Sequence, residues 1–305
     1  MQDLNVTCIG GGHGLGHLLE IINDFESINV TGIVSTTDNG GSTGRLRENC
    51  DTISWGDIRY CLSKLSKKVT TKQHVTAALL FEYRFDNLGD LSGHSLGNLM
   101  FCAIDSLCMR PTEAVKVMQE YLGIETNILP MSDHVTQLIS YSGDLCHVGE
   151  VAVDDYAVQG ITKLELAPKV KPSEEVLDAL KNTDVLFLGP GSFYTSTLPS
   201  LLMSDVIDSI NSNNKLKIYY IANVVSEFNL NQGGVDTYDE IHNQLEFIKG
   251  LGLTKTIHSL IPSHRLYPSI NLCEPYTLAD LPADSSGKHH ERYYRDQLVE
   301  VLKFN

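Results

Sequence analysis

Four short segments gather glycine with hydroxyl, amide, imidazole or guanidinium side chains, the residue types that can hold a phosphate. The first is Gly10, Gly11, Gly12, His13, Gly14, Leu15 and Gly16, which follows an apolar β-branched run and precedes a helical pattern. Missing side chains there let backbone N–H groups approach an anion at the positive end of a helix. A dinucleotide G-x-G-x-x-G reading fails, because Leu15 stands where the third glycine belongs. A P-loop reading fails because Gly16 is followed by His17 and Leu18 instead of Lys and Ser or Thr. The segment also reads as a plain tight turn packing strand on helix.

The second segment, residues 35–47, carries Ser35, Thr36, Thr37, Asp38, Asn39, Gly40, Gly41, Ser42, Thr43, Arg45 and Arg47. Its hydroxyls, amide and guanidinium groups suit an anion. Asp38 can ligate Mg²⁺, hold a ribose hydroxyl, or simply close an Asx-turn. Asp57, in Trp55-Gly56-Asp57, stands before an apolar face of Ile58, Cys61, Leu62 and Leu65 and reads as a helix N-cap; with Asp38 it can instead share one cation. The third segment, residues 92–98, sets His94, Ser95 and Asn98 at the start of a strongly periodic helix, where Ser95 also reads as an ordinary N-cap. The fourth breaks a buried strand with Gly189, Pro190 and Gly191, followed by Ser192, Tyr194, Thr195, Ser196 and Thr197. It reads as a second ligand-facing loop.

The elements that position these loops alternate in the manner of parallel strands joined by crossover helices. Strands are expected at 5–9, 30–36, 184–188 and 216–222, and helices at 15–23, 95–107 and 198–210. Residues 138–141, 148–153 and 161–166 read as antiparallel strands around a turn at 142–144, a small insertion over about 137–166. The fold class is therefore α/β: a Rossmann-like, doubly wound, mostly parallel sheet with helices on both faces and a small antiparallel insertion. We expect one domain over 1–305, with its core in about 5–225, a loop at 283–290 and a short closing helix around 295–302. Ligands of such sheets sit at the carboxyl ends of the strands, so the Gly10 and Gly189 loops converge if their strands are neighbours.

Composition narrows the partners. Of 305 residues 42% are apolar and 20% charged, which suits a folded globular chain. The formal net charge of -15 repels nucleic acid and anionic membranes, so neither is expected as a partner. The seven cysteines are scattered without a C-x-x-C pair, which argues against a disulfide framework or thiolate zinc site. No H-E-x-x-H pattern supports zinc hydrolase chemistry, and serine hydrolase chemistry is not expected. Without a leader-like start or a spanning apolar stretch, a cytoplasmic location is expected.

In order and spacing, the segments at 10–16, 36–45, 55–57, 93–98 and 189–196 closely resemble the gluconeogenesis factor family, within the superfamily of 2-phospho-L-lactate transferase. The resemblance covers about residues 5–225. It implies a nucleotide cleft and a ligand such as UDP-N-acetylglucosamine, another nucleotide sugar or a nucleoside diphosphate. It also implies a regulatory role in central carbon metabolism and cell shape or wall synthesis, and a homodimer. The alternative it implies is a Mg²⁺-dependent transferase moving a phospho-acyl group from a nucleotidyl donor. By this similarity Asp38 and Asp57 match metal-binding positions, while Gly10, Gly11, Gly12, His13, Gly14, Leu15, Asn39, Gly40, Gly41, Ser42, Arg45, His94, Ser95, Asn98, Gly189, Gly191, Ser192, Tyr194, Thr195 and Ser196 form the nucleotide and phosphate set. No cofactor is obligatory on this reading, with Mg²⁺ as the ion the acids can take. The chain departs from many members in carrying His13 in place of threonine and Asn39 in place of a second aspartate, so a charge is missing beside Asp38. An NAD-dependent oxidoreductase rests only on loop placement and the ribose reading of Asp38.

Overall fold

The computed structural model describes residues 3–67, 71–108, 110–157, 160–224, 237–262, 276–279 and 291–303. Along the chain run β1 (Leu4–Gly10), α1 (Gly12–Ile22), β2 (Ile28–Val34), α2 (Gly41–Asn49), α3 (Gly56–Ser66), α4 (Lys72–Glu82), α5 (Leu96–Asp105), α6 (Pro111–Leu122) and β3 (Asn127–Pro130). An excursion follows: β4 (Gln137–Ser142), β5 (Leu145–Val148), α7 (Glu150–Tyr156) and β6 (Lys163–Ala167). Then come α8 (Glu174–Asn182), β7 (Val185–Leu188), α9 (Leu198–Leu201), α10 (Ser204–Ser212), β8 (Lys217–Ile221), α11 (Thr237–Gly250), β9 (Ile257–Pro262), β10 (Tyr276–Ala279) and α12 (Glu291–Lys303).

Seven parallel strands form one sheet in the order β10-β9-β8-β7-β1-β2-β3. The strand order therefore reverses between β1 and β7, the crevice where open α/β sheets take ligands. Period-two alternation divides the strand side chains between two cores. Val6, Cys8, Val185 and Phe187 pack with α1, α3, α6 and α12 on one face; Ile9, Leu186 and Leu188 pack with α8, α10 and α11 on the other. Burial on both faces explains why β7 reads Val-Leu-Phe-Leu without alternation. On the first face Trp55 and Phe101 stack at 4.5 Å, and the indole N–H donates to the Thr52 hydroxyl at 2.6 Å. Local signals agree with the ends: α6 starts on Pro111 and stops at Gly123, whose φ of 68° only glycine adopts freely.

Three expectations are corrected. The first helix begins at Gly12, not residue 15, so Gly12, His13 and Gly14 form its opening turn behind an extended Gly11. Residues 148–153 do not form a strand: β5 ends at Val148, Gly149 at φ 91° turns the chain, and α7 begins. Its start is fixed by the Val151 N–H donating to Asn39 Oδ1 at 3.1 Å. Residues 198–210 are not one helix, because extended Met203 separates α9 from α10 and the acid Asp205 supports a restart. The small sheet is antiparallel as expected, in the order β5-β4-β6. Beyond residue 225, α11, β9 and β10 continue the parallel sheet, α12 spans the expected closing helix, and the loop expected at 283–290 lies outside the described residues. No described helix is long and apolar enough to cross a membrane.

Candidate functional site

The two glycine turns meet because β1 and β7 are hydrogen-bonded neighbours. The Gly189 N–H donates to the Ile9 carbonyl at 3.0 Å, tying the second turn to the strand that feeds the first. Gly14 faces the Pro190 carbonyl so closely that a Cβ there would overlap its oxygen, and a Cβ on Gly11 would collide with the Asp57 carboxylate. Gly191 is held from below: its N–H donates to Asn223 Oδ1 at 3.0 Å and its carbonyl accepts from Asn223 Nδ2 at 2.9 Å. The Ser192 hydroxyl accepts from the Thr195 N–H at 3.4 Å and donates to Asp154 at 3.1 Å.

After β2 the chain turns on Asp38, whose Oδ1 accepts from the Gly40 N–H at 2.7 Å, so the Asx-turn reading holds. The turn delivers Gly41, with open space around its Cα, and Ser42 to the start of α2. Ser42 links two helix N-termini: its hydroxyl pairs with His94 Nδ1 at 2.8 Å and accepts from Asn98 Nδ2 at 3.2 Å. Ser95 is the α5 N-cap, accepting from the Asn98 N–H at 3.3 Å. Burial, with Arg45 nearby, holds the His94 imidazole below its usual pKa, so it is a neutral acceptor or donor near pH 7. Asn98 is 2% exposed and its Oδ1 has no hydrogen-bond partner. Of the two arginines, Arg47 is spent on the carbonyls of Thr37, Asp38 and Thr136, while exposed Arg45 makes one bond to the Ser92 carbonyl.

Four carboxylates crowd this edge. Burial pushes the Asp57 carboxyl up to about 7, the Asp38 charge adds to the rise, and the Gly12 N–H and Arg59 oppose it. Burial likewise raises Asp38, against the Gly40 N–H, the Thr43 hydroxyl and Arg47. Glu150, at the start of α7, is pushed up to about 9 by burial and by Asp38, Asp57 and Asp154, with the Thr195 hydroxyl opposing. Asp154, one turn on, is also raised, chiefly by burial. Asp57 is not an N-cap: Trp55 holds that position in α3, and Asp57 turns its carboxylate to the Gly11–Gly12 backbone. Glu150 and Asp154 escape sequence reasoning because residues 148–153 read as a strand of the small insertion; in α7 their i, i+4 spacing places both on one helix face.

The structure gathers Gly10, Gly11, Gly12, Gly14, Gly189, Gly191, Ser192, Thr195 and Ser196 at the β1–β7 turns, and Gly40, Gly41, Ser42, His94, Ser95 and Asn98 at the ends of α2 and α5. His13 is exposed beside them, its ring 4.1 Å from that of Tyr60. Three of the expected contact residues make other contacts in the structure. The Leu15 side chain is fully buried in the core and its N–H donates to the Gly11 carbonyl. The Tyr194 ring packs against Phe193 and Phe247 beneath the loop. The Asn39 amide oxygen accepts from the Val151 N–H at the start of α7. Asn39→Ala is expected to cost about 1 kcal/mol, since it strips the acceptor from a helix-start N–H. Hydrogen exchange should accelerate across 150–156 before any other described helix; unchanged exchange there would remove Asn39 as the anchor.

A parallel doubly wound sheet with glycine turns at its strand-order switch defines a Rossmann-like α/β protein. Residues 6–264 match the family model described as 2-phospho-L-lactate transferase CofD, and the chain belongs to that family. A Vibrio cholerae protein named "Putative gluconeogenesis factor" is 36% identical over 305 residues, covering 100% of this chain and 99% of the relative. One of the same name from Pasteurella multocida is 35% identical over 305 residues, covering 97% and 93%. The "Gluconeogenesis factor" of Halalkalibacterium halodurans is 36% identical over 229 residues, covering 74% of this chain and 69% of its own. A crystal structure of a Bacillus halodurans protein superposes with a TM-score of 0.82 at 26% identity, covering 98% of this chain and 100% of that one.

Proposed function

We propose that the protein binds a nucleoside diphosphate sugar across the β1–β7 crevice and acts as a ligand-responsive regulator, as befits a relative of gluconeogenesis factors. The observation that carries this reading is the pair of helix N-termini joined through Ser42, beside glycine turns that leave backbone close to the crevice. Free N–H groups at α2 and α5 suit a diphosphate, with exposed Arg45 adding positive charge. Asn98 Oδ1, buried without a partner, suits a ligand N–H or O–H donor. Ligand binding that orders these loops shifts the protein toward a partner-binding form. In that state it links nucleotide-sugar supply to carbon metabolism and wall synthesis.

The crowded acids favour a second reading, a Mg²⁺-assisted transferase. Hard carboxylate oxygens with raised pKa values suit a divalent cation, which relieves their mutual repulsion. Among the described residues no group of three or more His, Cys, Asp or Glu side chains is set to hold a metal. Asp38 and Asp57 would therefore hold Mg²⁺ together with ligand phosphates and water, as that ion commonly binds. Bound there, the ion would supply neutralisation of phosphate charge.

Calorimetric titration with UDP-N-acetylglucosamine, with and without Mg²⁺, tests both readings. Saturable heat in the micromolar to low-millimolar range is expected, weakened at least about tenfold by Ser42→Ala, a loss of about 1.4 kcal/mol. No heat from any UDP-sugar would overturn the sensor. Binding that requires Mg²⁺ and is lost in Asp57→Asn, together with turnover on a supplied acceptor, would replace it with the transferase.

A further inference from the structure

The sulfur chemistry of the chain has a focus away from the crevice. A cavity of about 820 Å³ lies at the far ends of α2 and α5, with Cys50, Cys102, Cys108 and Asp105 in its wall. Cys50 is the residue that ends α2, and Cys102 lies within α5, which packs against α2. Both side chains line that cavity, lie near enough to influence each other electrostatically, and are not joined by a disulfide. Cys50 is exposed and Cys102 half-buried, so a dissolved reagent meets Cys50 first. Cys8 and Cys61 also influence each other, but both are buried in the core. Exposed Cys146 sits apart, on β5. Among the described cysteines, Cys50 and Cys102 are thus the pair that combines a sulfur neighbour with solvent access. Lys169 and Lys171 on the same wall as Asp105 and Asp133 give the cavity both signs of charge, which suits a zwitterionic small molecule.

We propose that Cys50 and Cys102 form a thiol–disulfide exchange site for low-molecular-weight disulfides. The Cys50 thiolate attacks one sulfur of the small disulfide, forming a mixed disulfide and expelling one thiolate. Cys102, deprotonated by solvent, then attacks Cys50 Sγ, the mixed S–S bond breaks and a second thiolate leaves. The protein loses two protons and two electrons, and the small disulfide is reduced to two thiols. Burial, with Cys50 and Asp105 adding, pushes the Cys102 thiol up to about 12. Resolution is therefore the slow step, and it accelerates with rising pH. The bond so formed fastens α2 to α5 at one end, while Ser42 joins them at the other through His94 and Asn98.

The test is incubation of the full chain with oxidised glutathione, alkylation of remaining thiols and peptide mapping without reductant. The expected result is loss of two thiols, a Cys50–Cys102 linked peptide, and recovery of both thiols with dithiothreitol. In Cys102→Ser, the glutathione adduct should accumulate on Cys50; in Cys50→Ser, Cys102 should stay fully alkylatable. Far-UV circular dichroism confirms that each variant is folded. Retention of both thiols in the wild-type chain, or a link from Cys50 to Cys108 instead, would overturn the assignment. So would Cys102→Ser that gathers no adduct.

Discussion

Gly14→Ala is expected to destabilise the protein by about 3 kcal/mol, the upper end of ordinary overpacking. Helix propensity alone argues the other way, since alanine in a helix gains about 1 kcal/mol over glycine. Contact decides the sign. A Cβ at Gly14 overlaps the Pro190 carbonyl oxygen and falls 2.6 Å from the carbonyl carbon and 3.0 Å from the Gly191 nitrogen. All three are backbone atoms, so no rotamer change clears the space. The obstructing turn is itself pinned by Gly189 to Ile9 and by the two bonds from Asn223 to Gly191. Relief therefore requires α1 to withdraw from the turn, opening the crevice as well as weakening the core. Gly250→Ala, at the end of α11 with open space around it, is the matched control and should be neutral or slightly stabilising. Urea midpoints of the two variants make the comparison. If Gly14→Ala unfolds with the wild type, α1 and the Gly189 turn do not touch as described.

That clash also shows what the sequence can and cannot reveal. The glycines at 10–14 and 189–191 announce a close approach, and the strands before them announce a parallel sheet. Their meeting depends on β1 and β7 being neighbours although 174 residues separate Gly10 from Val185, a pairing no local pattern encodes. Asp38 and Asp57 are legible as acids beside glycine loops. Their partners Glu150 and Asp154 are not, because Val148, Val151 and Val153 suggest a strand by β-propensity, and tertiary contacts from Asn39, Ser192 and Thr195 select a helix. The direction of Tyr194 is hidden for a related reason. Its place among hydroxyl residues suggests a ligand contact, yet a ring of that size finds more stabilisation against Phe193 and Phe247. Side-chain type was readable at each of these positions, whereas side-chain direction depends on elements distant in sequence.

The acids themselves give the last prediction, in stability against pH. Asp57 and Glu150 titrate near their ordinary values, about 4, in the unfolded chain and are raised to about 7 and about 9 in the folded one. The folded state thus holds their protons more tightly. Their stabilising contribution is complete below the unfolded pKa and is lost as pH rises through the folded values. The ligand-free protein should therefore weaken steadily between about pH 5 and about pH 9. Glu150→Gln keeps the side-chain shape without the ionisable group, so it should match the wild type near pH 4 and exceed it by about 2 kcal/mol near pH 9. Glu150 keeps part of its surface in solvent, and Arg47 faces it and Asp38 from α2, which together hold the gain well below the full pKa difference. Urea unfolding of both proteins at several pH values gives the two curves. Parallel curves would mean that Glu150 does not share the field of Asp38, Asp57 and Asp154, and diverging ones would place it inside the same electrostatic site.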